Sequence, residues 1–310
     1  MAKRGLVLLS ILSRAVGFLL IIYLGYFLKH RQVFRREDGA KLSVILMNVT
    51  LPCSILSSEH QLTFTSQLLI PFFLGMLGNL LLDGIGYYFE KSHKPEAKAI
   101  ALIQSSGFNI GTFVLPFVMV FFPSRYIMTV LLFDTGNSIM CIRGNYLMAE
   151  RIIGGQQKES LLALAKKVFA SIPLCTYLLV LVISLLHISI PQGILNITSI
   201  AGNANPFLAM FMIGVVVDFH IEKSAAASLV KRLLQRFGFM AVLSALLYLF
   251  LPVNLAAKQM IVLCLFAPIS TLGPVYAMQL GSKSAEPANL NSLSIFVSII
   301  ILTILCLCFI

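Results

Sequence analysis

The 310-residue chain is 58% hydrophobic, only 11% of its residues are charged, and its mean hydropathy is +0.93. A soluble domain carries roughly 25% charged residues, so this composition excludes a water-soluble globular protein. The formal net charge is +11, but the basic residues lie in short connections and form no surface suited to nucleic acid. The chain is therefore predicted to be an all-α integral membrane protein with lipid around it.

Apolar runs of about 20 residues, the length that crosses the hydrocarbon core, recur along the chain. They predict ten transmembrane helices, at residues 5–28, 41–57, 64–88, 97–121, 126–148, 165–187, 197–218, 229–250, 258–280 and 287–309. Lys and Arg concentrate in alternate loops, with Arg236 assigned to the seventh, and the positive-inside rule makes those loops cytoplasmic. This predicts a multi-pass protein of the cell (inner) membrane with both termini on the non-cytoplasmic side.

A polar connection near the midpoint, residues 149–164, is predicted to be a cytoplasmic linker between two repeats, 1–148 and 165–310. Each repeat contains five predicted spans. Because five is odd, the second repeat must insert in the opposite orientation to the first. The sequence therefore predicts a pair of inverted five-helix repeats.

Helix-breaking residues fall in corresponding spans of the two repeats. Asn and Pro interrupt the second and seventh spans, at Asn48, Pro52, Asn205 and Pro206. The fourth and ninth spans contain Asn109, Gly111, Pro116, Pro268, Thr271, Gly273 and Pro274. The pattern predicts that helices 4 and 9 are broken.

Matched breaks in a membrane protein indicate a binding site, because an unwound turn is tolerated only where protein or a water-filled cavity covers it. Half-helix N-termini present free N–H groups and positive dipole ends, which attract an anion. The residues at the two breaks are thus candidate substrate-binding residues, with Asn109 adding an amide and Thr271 a hydroxyl. The alternative is that Gly and Pro merely kink these helices for packing.

Asp134 is the most deeply placed acidic residue of the predicted fifth span, and Asn137 follows it by one helical turn. A carboxylate at this depth is costly unless it is paired or protonated. It is either a proton or cation site or a hydrogen-bonded strut that braces a broken helix. Asp83 is predicted to reach the membrane surface from a helix end.

No motif for a metal site, a cofactor or a catalytic nucleophile occurs, so none of these is expected.

The order and spacing of these short motifs resemble those of the auxin efflux carrier family, whose bacterial members include malate, malonate and lactate permeases. The matching residues are Asn109, Gly111 and Pro116; Phe133, Asp134, Gly136 and Asn137; and Ala267, Pro268 and Ala277. Val114 and Phe108 are bulkier than the residues usual in that family.

The resemblance implies a secondary transporter of small organic anions in which the broken helices 4 and 9 cross each other at mid-membrane. It also implies a scaffold of spans 1, 2, 6 and 7 and a moving domain of spans 3–5 and 8–10. Asn109 and the backbone beside Pro116, Pro268 and Pro274 would hold a carboxylate. Asn48, Pro52, Asn205 and Pro206 would line the scaffold side, and homodimerisation would occur through the scaffold.

Two other functions are open at this point. A Na⁺- or H⁺-coupled symporter with a fold like that of the bile-acid symporters would need acidic and polar side chains near the crossing. A membrane scaffold or sensor would bind a partner and carry no flux.

Overall fold

The computed structural model describes residues 2–35, 37–57, 69–122, 126–155, 172–217 and 223–309, and all regular structure within these ranges is helical. Six helical stretches in this part of the chain are long and apolar enough to cross a membrane: Asp38–Ser57, Leu69–Phe89, Pro95–Met119, Gln192–Val216, Ala226–Phe250 and Glu286–Phe309. Shorter apolar helices lie at Val16–His30 and Leu255–Leu265. The chain is a multi-pass membrane protein, whereas the count of ten spans stays a prediction.

The first repeat as predicted contains eight helices in its described residues. These are α1 (Ala2–His30), α2 (Asp38–Ile45), α3 (Leu51–Ser57), α4 (Leu69–Phe89), α5 (Pro95–Ser105), α6 (Leu115–Phe121), α7 (Ile127–Ile139) and α8 (Asn145–Ile152). Single π-helical turns join α2 to α3, precede α6 and join α7 to α8; they are Leu46–Thr50, Ile110–Val114 and Met140–Gly144. Such turns insert an extra residue into a helix and are frequent at functional sites.

The described remainder of the chain contains seven helices. These are α9 (Ile172–Leu185), α10 (Gln192–Asn203), α11 (Asn205–Val216), α12 (Lys223–Phe250), α13 (Leu255–Leu265), α14 (Leu272–Gln279) and α15 (Glu286–Phe309). Most of the predicted linker 149–164 and the start of the predicted span 165–187 lie outside the described residues.

Polar side chains are collected inside the helix assembly, and large apolar side chains face outward. Asn79 and Asp83 of α4 are fully buried, whereas Leu234 and Leu249 of α12 are each 69% exposed. A soluble protein would show the opposite arrangement. The apolar exterior is therefore the surface that contacts lipid.

Glycines bring two pairs of helices into backbone contact. A Cβ atom at Gly25 of α1 or at Gly214 of α11 would overlap a backbone carbonyl of the other helix. Gly75 of α4 and Gly136 of α7 make the same reciprocal approach. Close approach through small residues is the usual way that helices associate in a membrane, because burial from lipid supplies no hydrophobic driving force.

Arg232 of α12 binds acidic residues at the ends of two other helices, α4 and α15. Its Nη2 atom lies 2.6 Å from Glu90 Oε2, just after α4, and its Nε atom lies 3.0 Å from Glu286 Oε1, at the start of α15. Burial raises the pKa of Glu90, but hydrogen bonds from the Ser92 N–H and from Arg232 outweigh that effect and hold the pKa below its usual range. Glu90 therefore stays ionised, and the three-residue ion pair links α4, α12 and α15.

Candidate functional site

The two predicted helix breaks lie side by side and are joined by a backbone hydrogen bond. Helix α5 ends at Ser105, and the chain is non-helical until Ile110. Helix α13 ends at Leu265, and α14 begins at Leu272. The N–H of Asn109 donates to the carbonyl of Pro268 across 2.9 Å. The sequence pattern thus locates two segments that meet in the fold.

Gly107 allows the first break to approach the second closely. Its φ angle is +80°, which is a conformation that residues with a Cβ atom rarely adopt. A Cβ atom there would also collide with the side chain of Ser270 in the second break. Glycine is therefore required at position 107 for both the backbone conformation and the contact between the two segments.

Three buried asparagines satisfy the unwound backbone of the first break. Asn137 accepts a hydrogen bond from the N–H of Phe108 at 3.1 Å and donates one to the Phe108 carbonyl at 2.8 Å. Asn79 accepts from the N–H of Gly107 at 3.0 Å and donates to Asn137 at 3.1 Å. Asn145 donates to Asn79 at 3.0 Å. Since these groups are shielded from water, the network replaces the helical hydrogen bonds that the break has lost.

Asp134 is part of the same network. It is 7% exposed, and its Oδ1 atom accepts a hydrogen bond from Asn137 Nδ2 at 3.0 Å. A Cβ atom at Gly111 would lie 3.2 Å from Asp134 Oδ2 and 3.6 Å from Leu51 of α3. The absence of a side chain at Gly111 therefore lets the carboxylate, the first break and α3 pack together.

The second break is held by α15. Asn291 Nδ2 donates to the carbonyls of Ile269 and Ser270, at 2.9 and 3.2 Å. The Ser294 hydroxyl accepts from the N–H of Ile269 at 3.0 Å. Each break is thus held by amide or hydroxyl side chains of a neighbouring helix.

A buried arginine of α12 contacts both breaks. Arg236 is 1% exposed, and it donates to the carbonyls of Ser105, Gly107 (2.7 Å) and Ala267 (3.3 Å). Its guanidinium lies 5.1 Å from the centre of the Phe108 ring, a favourable cation–π distance. The bulk of Phe108 therefore contributes directly to the contact with this cation.

A narrow cleft of about 10 Å³, room for no more than one water molecule, opens beside the crossing, on the side of α8 and α14. The residues around it are uncharged: Ile103, Ser106, Gly107, Cys141, Asn145, Ser270, Leu272, Gly273 and Tyr276. Asn145 Oδ1 is buried, and no hydrogen-bond donor reaches it within the described residues. The cleft is therefore lined by hydroxyls, by Asn145 and by the start of α14, where Ser270 accepts from the N–H groups of Leu272 and Gly273. A solute larger than water could enter it only if the two breaks moved apart.

The structure brings some of the candidate residues to the crossing and leaves others away from it. Asn109, Pro268 and Gly273 are buried there, and Pro274 is half-buried. Gly111 and Pro116 are also buried, in the π-helical turn and in α6 that follow the first break. The side chain of Thr271 is exposed. No group of three or more His, Cys, Asp or Glu side chains that could hold a metal occurs in the described part of the chain.

On the predicted scaffold side, Pro52 is buried and Pro206 is half-buried. Asn205 is fully buried and accepts a hydrogen bond from Thr50 at 3.0 Å, which links α11 to the π-helical turn before α3. The structure does not bring Asn48 into this group, because its side chain is exposed.

Two charged residues are placed differently from the sequence-based expectation. Arg236 was predicted to lie in a basic loop, but it is buried among the carbonyls of the crossing. Asp83 was predicted to reach the membrane surface, but it is fully buried; the Ser106 hydroxyl lies beside its carboxylate, and neither carboxylate oxygen has a hydrogen bond of regular geometry among the described residues. In both cases an available signal was an ionisable residue inside an apolar span, which by default indicates a functional position.

Comparison with known proteins supports the general class of membrane transporter. No family profile matches the chain. A curated protein of Methanothermobacter thermautotrophicus, described as an uncharacterized transporter, is 25% identical over 218 residues, which cover 68% of this chain and 70% of that protein. The chain is thus similar to a protein named as a transporter, and its apolar helices are those of a multi-pass membrane protein.

Proposed function

We propose that the protein is a secondary transporter of small organic anions, with its substrate site at the crossing of the two broken helices. The hydrogen bond between Asn109 and Pro268 carries this proposal, because it joins two unwound segments that a purely structural helix pair would not need. Discontinuous helices that meet inside the membrane are the usual substrate site of secondary transporters. The similarity to a protein named as a transporter supports the same class.

The positive groups at the crossing would suit an anion. No acidic side chain lines the cleft, although the buried carboxyls of Asp83 and Asp134 lie close to Cys141 in its wall. The N-terminus of α14, at Leu272, carries the positive end of a helix dipole, and Arg236 places a full positive charge behind the first break. A carboxylate bound in the cleft would gain from both. Asn145 Oδ1 would accept a hydrogen bond from a hydroxyl of the same solute, which favours a hydroxy acid.

The transport cycle that we propose is alternating access at this site, as in the auxin efflux carriers that the motifs resemble. Two inverted repeats would form a scaffold and a moving domain, and the contact between Thr50 and Asn205 would belong to the scaffold. The proposal includes the inner membrane as its location, both termini on the non-cytoplasmic side and a homodimer formed through the scaffold.

Solute counterflow in proteoliposomes tests this function, since it needs no assumed driving ion. Labelled mono- and dicarboxylates, with and without a hydroxyl group, would be offered to the wild-type protein and to Asn109→Ala. We expect saturable accumulation of one acid, reduced about tenfold or more in Asn109→Ala, because the Asn109 side chain accepts a hydrogen bond from Thr112 and so fixes the break that forms one wall of the cleft. Asn203→Ala, at an exposed asparagine outside the crossing, should retain wild-type accumulation.

Two results would contradict the proposal. Absence of counterflow for every acid by correctly folded protein would argue against an organic-anion carrier, and retained binding of a partner protein would then favour a scaffold. Equal loss of accumulation in Asn109→Ala and Asn203→Ala would show that the substrate site is not at the crossing.

For Asp134 we propose the role of a strut. Its bond to Asn137 and its contact with Gly111 orient the amide that holds Phe108. Asp134→Asn should therefore lower the rate of flux several-fold but leave the shape of its pH profile unchanged. Counterflow measured from pH 5 to pH 8 checks this expectation. Loss of the pH dependence with an unchanged maximal rate would instead identify Asp134 as a proton site.

A further inference from the structure

The guanidinium of Arg236 occupies a position that would otherwise suit a free cation. Three backbone carbonyls converge on it, those of Ser105 and Gly107 from the first break and that of Ala267 from the second. Ser105 is the last residue of α5, and Ala267 follows the end of α13 by two residues. Helix C-termini carry negative dipole ends and unpaired carbonyls, so both helices direct negative potential at one point.

In secondary transporters, unwound carbonyls and half-helix C-terminal ends of this kind coordinate coupling ions such as Na⁺. We propose that Arg236 is a tethered cation, which fills a coupling-ion position between the two breaks and makes transport by this chain independent of Na⁺. The consequence for transport rests on the proposed function, whereas the site itself is a property of the folded chain.

The groups around the Arg236 guanidinium resemble the ligands of a bound cation more than the partners of a typical arginine side chain. The side chain is 1% exposed, no acidic side chain forms an ion pair with it among the described residues, and its Nε atom has no hydrogen-bond partner there. A buried arginine without a carboxylate partner is costly. Here the Phe108 ring and the three carbonyls offset the cost of burying the charge. These groups would stabilise any positive charge at that position, whichever group carries it.

The side chain also lies away from the cleft. Arg236 is not among the residues around that opening, whereas Ser106, Gly107 and Ser270 are. It reaches the cleft only through the backbone of the two breaks, whose carbonyls it binds. This makes Arg236 a positioning residue that holds the crossing together, and not a direct ligand of the substrate.

Truncation of Arg236 should leave a vacant cation site that a small cation can enter. The experiment measures the thermal unfolding midpoint of purified Arg236→Ala in detergent, with and without millimolar guanidinium, a concentration far below the denaturing range. We expect guanidinium to raise the midpoint of Arg236→Ala by about 3 °C or more, as binding well above Kd does. Na⁺ in place of choline should have a smaller effect of the same sign, and the wild type should respond to neither.

Arg232→Ala is the matched control, since Arg232 lies one helical turn away on α12 but binds Glu90 and Glu286 and not carbonyls. It should show no response to guanidinium. Arg236→Lys, which keeps a positive charge, should retain more stability than Arg236→Met, which keeps the length without it. Equal midpoints for the Lys and Met variants would overturn the proposal, and so would an Arg236→Ala protein that guanidinium does not stabilise.

A measurement on the wild type keeps the inference testable if the variants fail to fold. Counterflow by wild-type protein should be the same in Na⁺ and in choline. Flux that requires Na⁺ would contradict a tethered cation while upholding the transporter. Absence of all flux would instead contradict the transporter, and a wild-type unfolding midpoint that Na⁺ raises would still contradict a filled cation site.

Discussion

Asn137→Leu is expected to abolish flux and to lower the free energy of unfolding by about 3–5 kcal/mol. The leucine has the same branched shape, but it is bulkier and can neither donate nor accept a hydrogen bond. The N–H and carbonyl of Phe108 would lose their partner inside the assembly, and Asp134 would lose the donor that it has in Asn137. Each buried polar group left unsatisfied costs about 1–3 kcal/mol, and more for a charged group. Unfolding midpoints in detergent and counterflow would measure the two effects.

Asn137→Asp separates hydrogen bonding from packing at the same site. An ionised aspartate can still accept from the N–H of Phe108, but it cannot donate to the Phe108 carbonyl, and it sets a second negative charge beside Asp134. We expect it to be at least as harmful as the leucine variant. Asn203→Leu, at an exposed asparagine, is the control and should change the midpoint little. Wild-type stability and flux in Asn137→Leu would mean that the crossing does not depend on this network.

The sequence located the two breaks because their cause is local. Gly and Pro prevent a regular helix at the positions where they occur, whatever surrounds them. Gly111, Pro116 and Pro268 were therefore visible as interruptions in apolar runs. That the two breaks meet was expected from the family resemblance, and the hydrogen bond from Asn109 to Pro268 joins them in the structure.

Arg236 could not be placed by the same reasoning. Arg236 was counted with the charges of the seventh loop although it falls within the predicted span 229–250, and α12 begins still earlier, at Lys223. At 1.5 Å per residue, Arg236 lies about 20 Å along that helix and not near its end. The three carbonyls that it binds belong to residues about 30 to 130 positions away in the sequence, so no local sequence pattern predicts these contacts.

The exposure of Asn48 shows a second limit of the sequence. A helix of a soluble protein reveals its buried face through an apolar stripe, but in a membrane both the lipid-facing and the protein-facing sides are apolar. The sequence could therefore mark Asn48 and Asn205 as unusual residues of their spans. It could not tell that Asn205 points inward to Thr50 while Asn48 points outward.

Gly136→Ala is expected to prevent stable folding, although it adds only one methyl group. A Cβ atom at this position would overlap the backbone carbonyl oxygen of Phe72, and neither helix backbone can move without displacing the other. Overpacking a well-packed interior costs about 1–3 kcal/mol, and a rigid backbone neighbour puts this variant at or above the upper end. Helix α7 also carries Asp134 and Asn137, so a displacement of α7 from α4 would disturb the network that holds the first break.

Gly84→Ala is the matched control, because Gly84 lies within α4 and a Cβ atom there would meet nothing within 4 Å. The same chemical change should stabilise that helix by up to about 1 kcal/mol, since alanine has the higher helix propensity. The yield of monodisperse protein after detergent extraction and its unfolding midpoint measure both variants. Equal behaviour of the two would show that α4 and α7 can separate without cost. A lower unfolding midpoint for Gly136→Ala together with a higher one for Gly84→Ala would mean that backbone contact at Gly136 sets the position of α7. It would then also set the geometry of the crossing.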